Sequence, residues 1–132
     1  MAGTDIFAHP VHLGLGATAE TEPFFTGSID WYTSYTQRHC SDGPESRLVS
    51  MYTFKESWDV WEMHPRGCEV VLCIAGAITL HQEHPDGSRQ AITLSPGLYA
   101  INKPGTWHTA DIEQEATALF ITAGLGTQHR PR

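Results

Sequence analysis

Short blocks of β-branched and aromatic residues, separated by turn-forming residues, dominate the sequence from residue 28 onwards. The blocks include RLVSMYTF, EVVLCIA, AITLHQE, QAITL and TALFITAG, and the breaks include SDGPES, HPRGC, HPDGS, SPG and NKPGT. Such apolar runs are typical of strands, and Gly, Pro and Asp between them are typical of turns. The block SIDWYTSYTQ is interpreted in the same way, because no segment has a clear helical stripe. The pattern predicts an all-β sandwich or barrel.

The chain has 132 residues, which suits one domain with a single core. We expect an N-terminal arm at residues 1–27, a β-barrel at 28–126 and a tail at 127–132. In EVVLCIAGAITL the residues that would point to either face of the strand are apolar, so both faces should be covered. One face fills the barrel, and the other needs the arm or a second subunit, which favours a homodimer. The candidates for this seam are Phe24, Phe25, Trp31 and Tyr32.

The charge of the chain excludes some classes of partner. The formal net charge is -7, with 15 acidic and 8 basic side chains, which disfavours nucleic-acid binding. The N-terminus lacks the charged and apolar regions of a signal peptide, and no apolar run approaches the length of a membrane span. The cysteines are three in number and lack CxxC spacing, so we expect no disulfide framework. These features predict a cytoplasmic protein with no membrane partner.

The segment WEMHPRGCE, residues 61–69, places charged groups beside an apolar run. Glu62 and His64 are two residues apart in a predicted strand, so their side chains share a face. After a short turn, Glu69 opens the next strand opposite His64. Two carboxylates this close need a proton or a shared cation, and a divalent metal ion is the simplest cation. His108, which follows the turn in NKPGT, is a fourth candidate from a different strand.

This segment resembles the first motif of the cupin superfamily. The motif consists of Gly, five residues, His-x-His, three or four residues, Glu, six residues and Gly. The spacing from Glu62 through His64 and Glu69 to Gly76 fits the motif. The resemblance implies a single-domain cupin jelly-roll β-barrel, here with an N-terminal arm.

A second stretch resembles the second cupin motif, which consists of Gly, five residues, Pro-x-Gly, two residues, His, three residues and Asn. The spacing from Gly97 to His108 fits this frame. Four positions depart from the two motifs, and they are Glu56 for Gly, Glu62 for the first His, Lys103 for Pro and Ile112 for Asn. Only the change at Glu62 falls on the chemistry. The other three affect turns or one hydrogen bond.

The resemblance implies one divalent metal ion, with Glu62, His64, Glu69 and His108 as its ligands. Imidazole and carboxylate ligands suit Fe, Mn, Zn, Ni or Co, and the sequence does not distinguish these. If all four residues bind, the two carboxylates neutralise a divalent ion, which weakens its effect on bound water. If Glu62 stands away from the ion, the other three form a two-His, one-carboxylate set, and Glu62 becomes a general base.

These arrangements favour a small metal-dependent enzyme that acts on a small oxygen-rich molecule by oxygenation or by proton transfer, as in an isomerase or lyase. The alternative is a small-molecule-binding or sensing cupin without catalysis, in which Glu62 marks the loss of the metal. Tyr52 and Arg47 are further candidate catalytic residues beside Glu62, and Trp58 is a candidate for the pocket wall. His39 is a weaker candidate, in the loop 38–46. The remaining histidines are interpreted as surface groups, and they are His9, His12, His81, His84 and His129.

Overall fold

A computed structural model describes all 132 residues, which form two antiparallel β-sheets that face one another. The predicted all-β jelly-roll class is confirmed. The two sheets form a β-sandwich and do not close into a continuous barrel. The strands are β1 Val11–Leu13, β2 Ala19–Thr21, β3 Arg47–Phe54, β4 Val60–Met63, β5 Glu69–Gly76, β6 Ile78–Glu83, β7 Arg89–Leu94, β8 Tyr99–Asn102, β9 Trp107–Asp111, β10 Ala116–Thr122 and β11 Gln128–Pro131.

From β3 onwards the chain passes repeatedly from one sheet to the other, and only β6 and β7 follow each other within one sheet. One sheet has six strands in the order β2-β1-β3-β10-β5-β8, and the other has five in the order β11-β4-β9-β6-β7. The side chains between the sheets form a core of 11 buried apolar residues. Cys73 is fully buried in this core. Because successive residues of a strand point to opposite faces, the register of each strand decides which side chains reach this interior.

The segment predicted as the first strand of the barrel is a helix, so that prediction is wrong. Helix α1 spans Ile29–Arg38, and the Ser28 side chain caps it by accepting a hydrogen bond from the backbone N–H of Trp31 at 3.3 Å. The rings of Trp31 and Tyr35 stack at 5.6 Å, as residues one turn apart can. Local capping and this i, i+4 pair override the strand preference of the aromatic residues. No helix of the protein has both the length and the apolar character needed to cross a membrane.

Both ends of the chain belong to the sheets. In the expected arm, β1 pairs with β2 and β3, so the arm extends the six-stranded sheet. In the expected tail, β11 pairs with β4 at the edge of the five-stranded sheet. The prediction of a tail at 127–132 therefore misses a strand. A four-residue strand of polar residues has no apolar alternation, so its sequence gives no signal of pairing.

Gly76, the last residue of the first motif, allows a close approach between β5 and β10. Its φ is +74°, and a Cβ at this position would overlap the carbonyl oxygen of Glu115 and lie 2.9 Å from the Cα of Ala116. The backbone here therefore excludes every side chain, both by its conformation and by the space available.

We expect Gly76→Ala to lower the free energy of unfolding by about 3 kcal/mol or more, because strain and backbone overlap add. Gly87→Ala is the matched control: Gly87 has φ +87° and nothing within 4 Å of the added Cβ, so it should lose only about 1–2 kcal/mol. Urea unfolding of both variants measures the difference. Equal losses would contradict the predicted overlap at Gly76.

Candidate metal centre

Two rows of polar side chains face each other across the interior of the sandwich. In the five-stranded sheet, neighbouring strands pair Glu62 with His108, and His108 with Gln82. In the six-stranded sheet, Thr122 is paired with Glu69, and Glu69 with Asn102. Directly paired residues share a face of their sheet, so each row presents its side chains on one side. The two rows therefore bring residues of both cupin-like motifs together.

The four predicted ligands converge on one small volume. Glu62 lies in β4, His64 directly after it, Glu69 at the start of β5 and His108 in β9. One ligand atom of each residue lies within 4.8 Å of the ligand atoms of the other three. His64 Nε2 is 3.1 Å from Glu62 Oε1 and 3.2 Å from Glu69 Oε2, and His108 Nε2 is 3.1 Å from Glu69 Oε1. His108 Nε2 and Glu62 Oε1 are farther apart, at 3.9 Å.

Three of the four side chains are almost fully buried. The exposed fraction is 3% for His64, 4% for Glu69 and 0% for His108, whereas it is 25% for Glu62. His64, Glu69 and His108 are therefore enclosed by the protein, and Glu62 is the member of the cluster that contacts solvent. Buried charges of this kind need compensation within the cluster.

Hydrogen bonds at Nδ1 fix which nitrogen of each imidazole faces the cluster. The hydroxyl of Thr127 donates to the carbonyl oxygen of Gly124 at 2.7 Å, so it accepts from His64 Nδ1 at 2.8 Å. His108 Nδ1 lies 3.3 Å from the carbonyl oxygen of Thr106, which can only accept. Both Nδ1 atoms are therefore donors, and each neutral imidazole directs the Nε2 lone pair into the cluster.

The arrangement fits a bound metal ion better than a set of hydrogen bonds. His64 Nε2 and His108 Nε2 are buried and have no hydrogen-bond partner, although carboxylate oxygens lie close by. Ligand atoms about 2.1 Å from a common ion and at right angles to each other are about 3.0 Å apart, close to the three shortest distances. Two imidazole nitrogens and two carboxylates form a ligand set for Fe, Mn, Zn, Ni or Co. These residues thus fit a divalent ion.

Glu69 is held in place by a chain of buried amides and a hydroxyl. Asn102 Nδ2 donates to Glu69 Oε1 at 3.1 Å, and the Thr122 hydroxyl donates to Glu69 Oε2 at 2.6 Å. Gln82 Nε2 donates to Asn102 Oδ1 at 2.7 Å and to the carbonyl oxygen of Ile101 at 2.9 Å, which fixes the orientation of the Asn102 amide. Each oxygen of the buried carboxylate therefore has one protein donor and still faces the imidazoles. Such support fixes the direction of a metal ligand.

The charges of the cluster shift the pKa values of its members. Burial lowers the pKa of His64, but the adjacent Glu62 and Glu69 carboxylates outweigh it and raise that pKa to about 9. Burial raises the pKa of Glu69, but His108 and His64 outweigh it and hold that pKa well below its ordinary value. A positive charge is thus favoured between the carboxylates, whether a proton or a metal ion supplies it.

The fold of this chain is similar to the folds of several solved structures. No family model matches the chain, and no curated protein matches it. Among solved structures, an oxalate oxidase in complex with the substrate analogue glycolate has a TM-score of 0.54 at 13% identity, over 62% of this chain and 45% of its own. A protein with a double-stranded beta-helix domain from Klebsiella pneumoniae subsp. pneumoniae MGH 78578 has a TM-score of 0.52 at 20% identity, over 64% of this chain and 73% of its own.

A cupin-2 domain containing protein from Shewanella frigidimarina NCIMB 400 also matches, at 21% identity and a TM-score of 0.48, over 65% of this chain and 71% of its own. The chain has the cupin fold. At these identities the likeness concerns the fold alone. The cupin resemblance drawn from the two sequence motifs is therefore confirmed as a resemblance of fold.

Arg47 and Tyr52, the two additional catalytic candidates, do not contact the metal-ligand cluster of Glu62, His64, Glu69 and His108. Arg47 is exposed and alternates with Leu48 and Ser50, the buried residues of β3, so it lies on the outer face of the sheet. Tyr52 lies on the inner face and is 46% exposed, and its ring centroid is 4.8 Å from that of Phe54. Neither side chain forms a hydrogen bond or ion pair with the four residues. The catalytic roles of Arg47 and Tyr52 remain predictions.

Trp58, the candidate for the pocket wall, packs beside the cluster. Its ring lies 6.1 Å from the ring of His108 in an edge-on arrangement, and 5.6 Å from the ring of Phe54. Its indole Nε1 is buried without a hydrogen-bond partner. Trp58 therefore joins the aromatic core to the metal-ligand cluster.

Three residues near the metal-ligand cluster are not predicted as site residues by the sequence analysis. Thr127 orients His64, as described above, and His129 Nε2 lies 3.1 Å from Glu62 Oε2. Both are positioned by β11, which has no strand signal. Tyr32, on α1, is the third: burial raises its pKa to about 12, and the charges of Glu62 and Glu69 contribute to the increase.

His12 and His39 form a second polar cluster beneath α1. His12, expected on the surface, is 1% exposed; its Nε2 is 2.6 Å from Asp42 Oδ2, and its Nδ1 is 2.6 Å from the Tyr35 hydroxyl. His39 stacks on His12 with 3.6 Å between ring centroids and contacts Glu22 Oε2 at 2.9 Å. These contacts attach the C-terminal half of α1 and the residues that follow it to β1. His39 thus lies away from the metal-ligand cluster.

We predict that His64 in the metal-free protein titrates with a pKa of about 9, above the ordinary value of 6.5. The folded state binds this proton more tightly than the unfolded state, so its stabilising effect is complete below about pH 6.5 and lost as pH rises towards 9. Ring resonances of His64 in EDTA-treated protein measure the titration by NMR. A midpoint at or below 6.5 would contradict the close pairing with Glu62 and Glu69.

Proposed function

We propose that this cupin binds one divalent metal ion through Glu62, His64, Glu69 and His108, and that it acts there on a small oxygen-rich molecule. The observation that supports this proposal most strongly is the convergence of two unpartnered, buried Nε2 atoms and two carboxylates within 4.8 Å. The reaction class that we propose is oxygenation or proton transfer, as in an oxygenase, isomerase or lyase. Among the proteins of similar fold, the oxalate oxidase is described with the small acid glycolate, which agrees with a substrate of this class.

The ion supplies a positive charge that polarises a bound oxygen atom, or an electron for oxygen chemistry if it is redox-active. The residues of the protein determine where the ion binds. His64 and Glu69 come from opposite sides of one turn, and His108 comes from a different strand, so three elements of the two sheets must remain fixed. Thr127 and Asn102 hold the orientation of His64 and Glu69.

Glu62 is the residue of the four that is best suited to move a proton. Its side chain is the most exposed of the set at 25%, and its Oε2 already points away from the cluster towards His129. We therefore propose that Glu62 acts as a general base for a molecule bound beside it, with His129 stabilising the carboxylate. When no such molecule is present, Glu62 Oε1 completes the ligand set.

The ligand assignment predicts that purified untagged protein binds one equivalent of a divalent metal ion, whereas His108→Ala binds far less. Removing one neutral ligand from a four-residue site should weaken affinity at least tenfold, and the two carboxylates then lose their shared cation. Elemental analysis after dialysis measures the metal content. His84→Ala is the matched control, because His84 lies in a hairpin away from the cluster.

Two outcomes decide against the assignment. Metal retained in full by His108→Ala would remove His108 from the ligand set. Metal bound by neither the natural chain nor the His84→Ala variant would favour the alternative, a small-molecule-binding or sensing cupin without metal. The raised pKa of His64 is the observation that favours this alternative, because a proton can also balance the two carboxylates.

We also propose that the cupin forms a homodimer through the outer face of the six-stranded sheet. Residues paired across neighbouring strands form two apolar rows on this face, and these are Val11, Val49, Ile121, Val70 and Ile101, and Met51, Leu119, Leu72 and Tyr99. Tyr99 is 62% exposed and Ile101 46% exposed. A contiguous apolar face of this kind is characteristic of an interface. Of the four candidates for this seam, Trp31 is 7% exposed and packs against Phe25 of its own chain, so it is not available to a second subunit.

Ile101→Glu should convert the dimer into a monomer, because a charge within an apolar interface would be buried without a partner. Sedimentation equilibrium measures the change as a large increase in the dissociation constant of the dimer. Ile29→Glu is the control, since Ile29 is 84% exposed on α1 and lies off the sheet face. A monomeric natural chain, or a dimer unaffected by Ile101→Glu, would refute this interface.

A further inference from the structure

The outer face of the five-stranded sheet carries a groove of about 380 Å³, which is within the range of small-molecule pockets. Trp61, His81 and Thr109 line this groove from three neighbouring strands. Each of them is adjacent in sequence to a residue of the interior row that carries Glu62 and His108, and successive residues of a strand point to opposite faces. The groove therefore lies behind the metal centre and is separate from it.

Arg89 forms one wall of the groove, and its guanidinium is held in a fixed direction. Arg89 Nε and Nη2 donate to Glu83 Oε1 at 3.1 and 2.8 Å, and the guanidinium carbon lies 5.6 Å from the centre of the Trp61 ring. These contacts leave both N–H groups of Nη1 without a partner in the protein. Donors that are already oriented lose little further side-chain entropy when they bind a ligand.

On the other side of His81, Asp111 and Arg132 form the second wall. His81 Nε2 lies 2.7 Å from Asp111 Oδ2, and Arg132 Nη2 donates to Asp111 Oδ1. Arg132 Nη1 also donates to two backbone carbonyl oxygens, at 3.0 and 3.1 Å. The charge of Asp111 is therefore already compensated within the protein, and the Nε–H of Arg132 has no partner.

The side chains on this face have an excess of positive charge. Three arginines contact only two carboxylates, and these residues are Arg89, Arg130 and Arg132, and Glu83 and Asp111. The whole chain, in contrast, has a formal net charge of -7. A locally basic surface on an acidic protein favours anions over cations as ligands.

We propose that this groove binds a small organic anion, whose carboxylate or phosphate group contacts Arg89 and whose apolar part packs against Trp61. A guanidinium forms strong, charge-assisted hydrogen bonds with the oxygens of either group. The indole ring supplies an apolar surface for the rest of the molecule. This site is distinct from the metal centre, so the inference does not depend on the proposed metal-dependent function.

Phenyl phosphate and benzoate are the probes, and inorganic phosphate and benzyl alcohol lack the ring or the charge. The indole N–H resonance of Trp61, assigned from its absence in Trp61→Phe, reports binding by NMR. Arg89→Gln removes one positive charge, and the fold should be retained because the Arg89 side chain is 66% exposed and Glu83 keeps its contact with Arg130. Arg66→Gln is the matched control, since Arg66 is exposed between β4 and β5 and does not line the groove.

We expect at least one aromatic anion to shift the Trp61 resonance saturably, and the stronger of the two identifies the preferred anionic group. Its dissociation constant should rise about tenfold in Arg89→Gln, as for loss of a hydrogen bond to a charged group, and stay unchanged in Arg66→Gln. EDTA treatment should leave binding unchanged, because no metal ligand lines the groove.

Four results would overturn the proposal. The first is a natural chain that shows no saturable shift with either aromatic anion, and the second is an Arg89→Gln variant that binds as tightly as the natural chain. The third is inorganic phosphate that binds as tightly as phenyl phosphate, or benzyl alcohol that binds as tightly as benzoate. The fourth is binding that disappears with EDTA, which would place the probe at the metal centre.

Discussion

Two carboxylates held beside two imidazoles in a nearly dry interior are the constraint on which the site of this protein depends. Glu69 is buried with its oxygens 3.1 and 3.2 Å from imidazole nitrogens, and a buried anion of this kind is costly without compensation. The surrounding residues do not remove that cost by pairing every atom. They hold Glu69, His64 and His108 so that lone pairs point at one place, which leaves a position that a cation stabilises.

The sandwich architecture explains how residues far apart in sequence meet there. Strand β4 belongs to the five-stranded sheet and β5 to the six-stranded sheet, so the turn between Glu62 and Glu69 crosses from one sheet to the other. His108 then returns on the strand that pairs with β4. The orientation of each imidazole depends on a hydrogen bond at the far side of its ring. The partner of His108 is the carbonyl oxygen of Thr106, within the second motif, whereas the partner of His64 is Thr127, which lies outside both motifs.

The sequence predicted the β class from short-range patterns, and it predicted the four clustered residues through the resemblance of two segments to the cupin motifs. Alternation and turn residues define strands locally. The connection from His64 to Glu69 was expected to be a hairpin, but β4 and β5 belong to different sheets, so these two residues meet because the sheets face one another. Thr127 and His129 could not be predicted, because a polar edge strand has no apolar period and its pairing with β4 is a long-range event. Helix α1 was misassigned because its aromatic residues favour strands, while its Ser28 cap and the Trp31–Tyr35 stack act only once a helix exists. His12 was misplaced for the related reason that its partners, Tyr35 and Asp42, lie on elements absent from the predicted pattern.

The position of β11 at the edge of its sheet links the state of the site to the end of the chain. This strand has only four residues and one neighbour, yet Thr127 precedes it and His129 lies within it. If β11 separated from β4, His64 would lose the acceptor that fixes its ring, and Glu62 would lose His129. By thermodynamic reciprocity, an occupant of the centre that needs both groups in place must in turn oppose fraying of this strand. The rate of amide hydrogen exchange in β11 thus reports whether the metal centre is occupied.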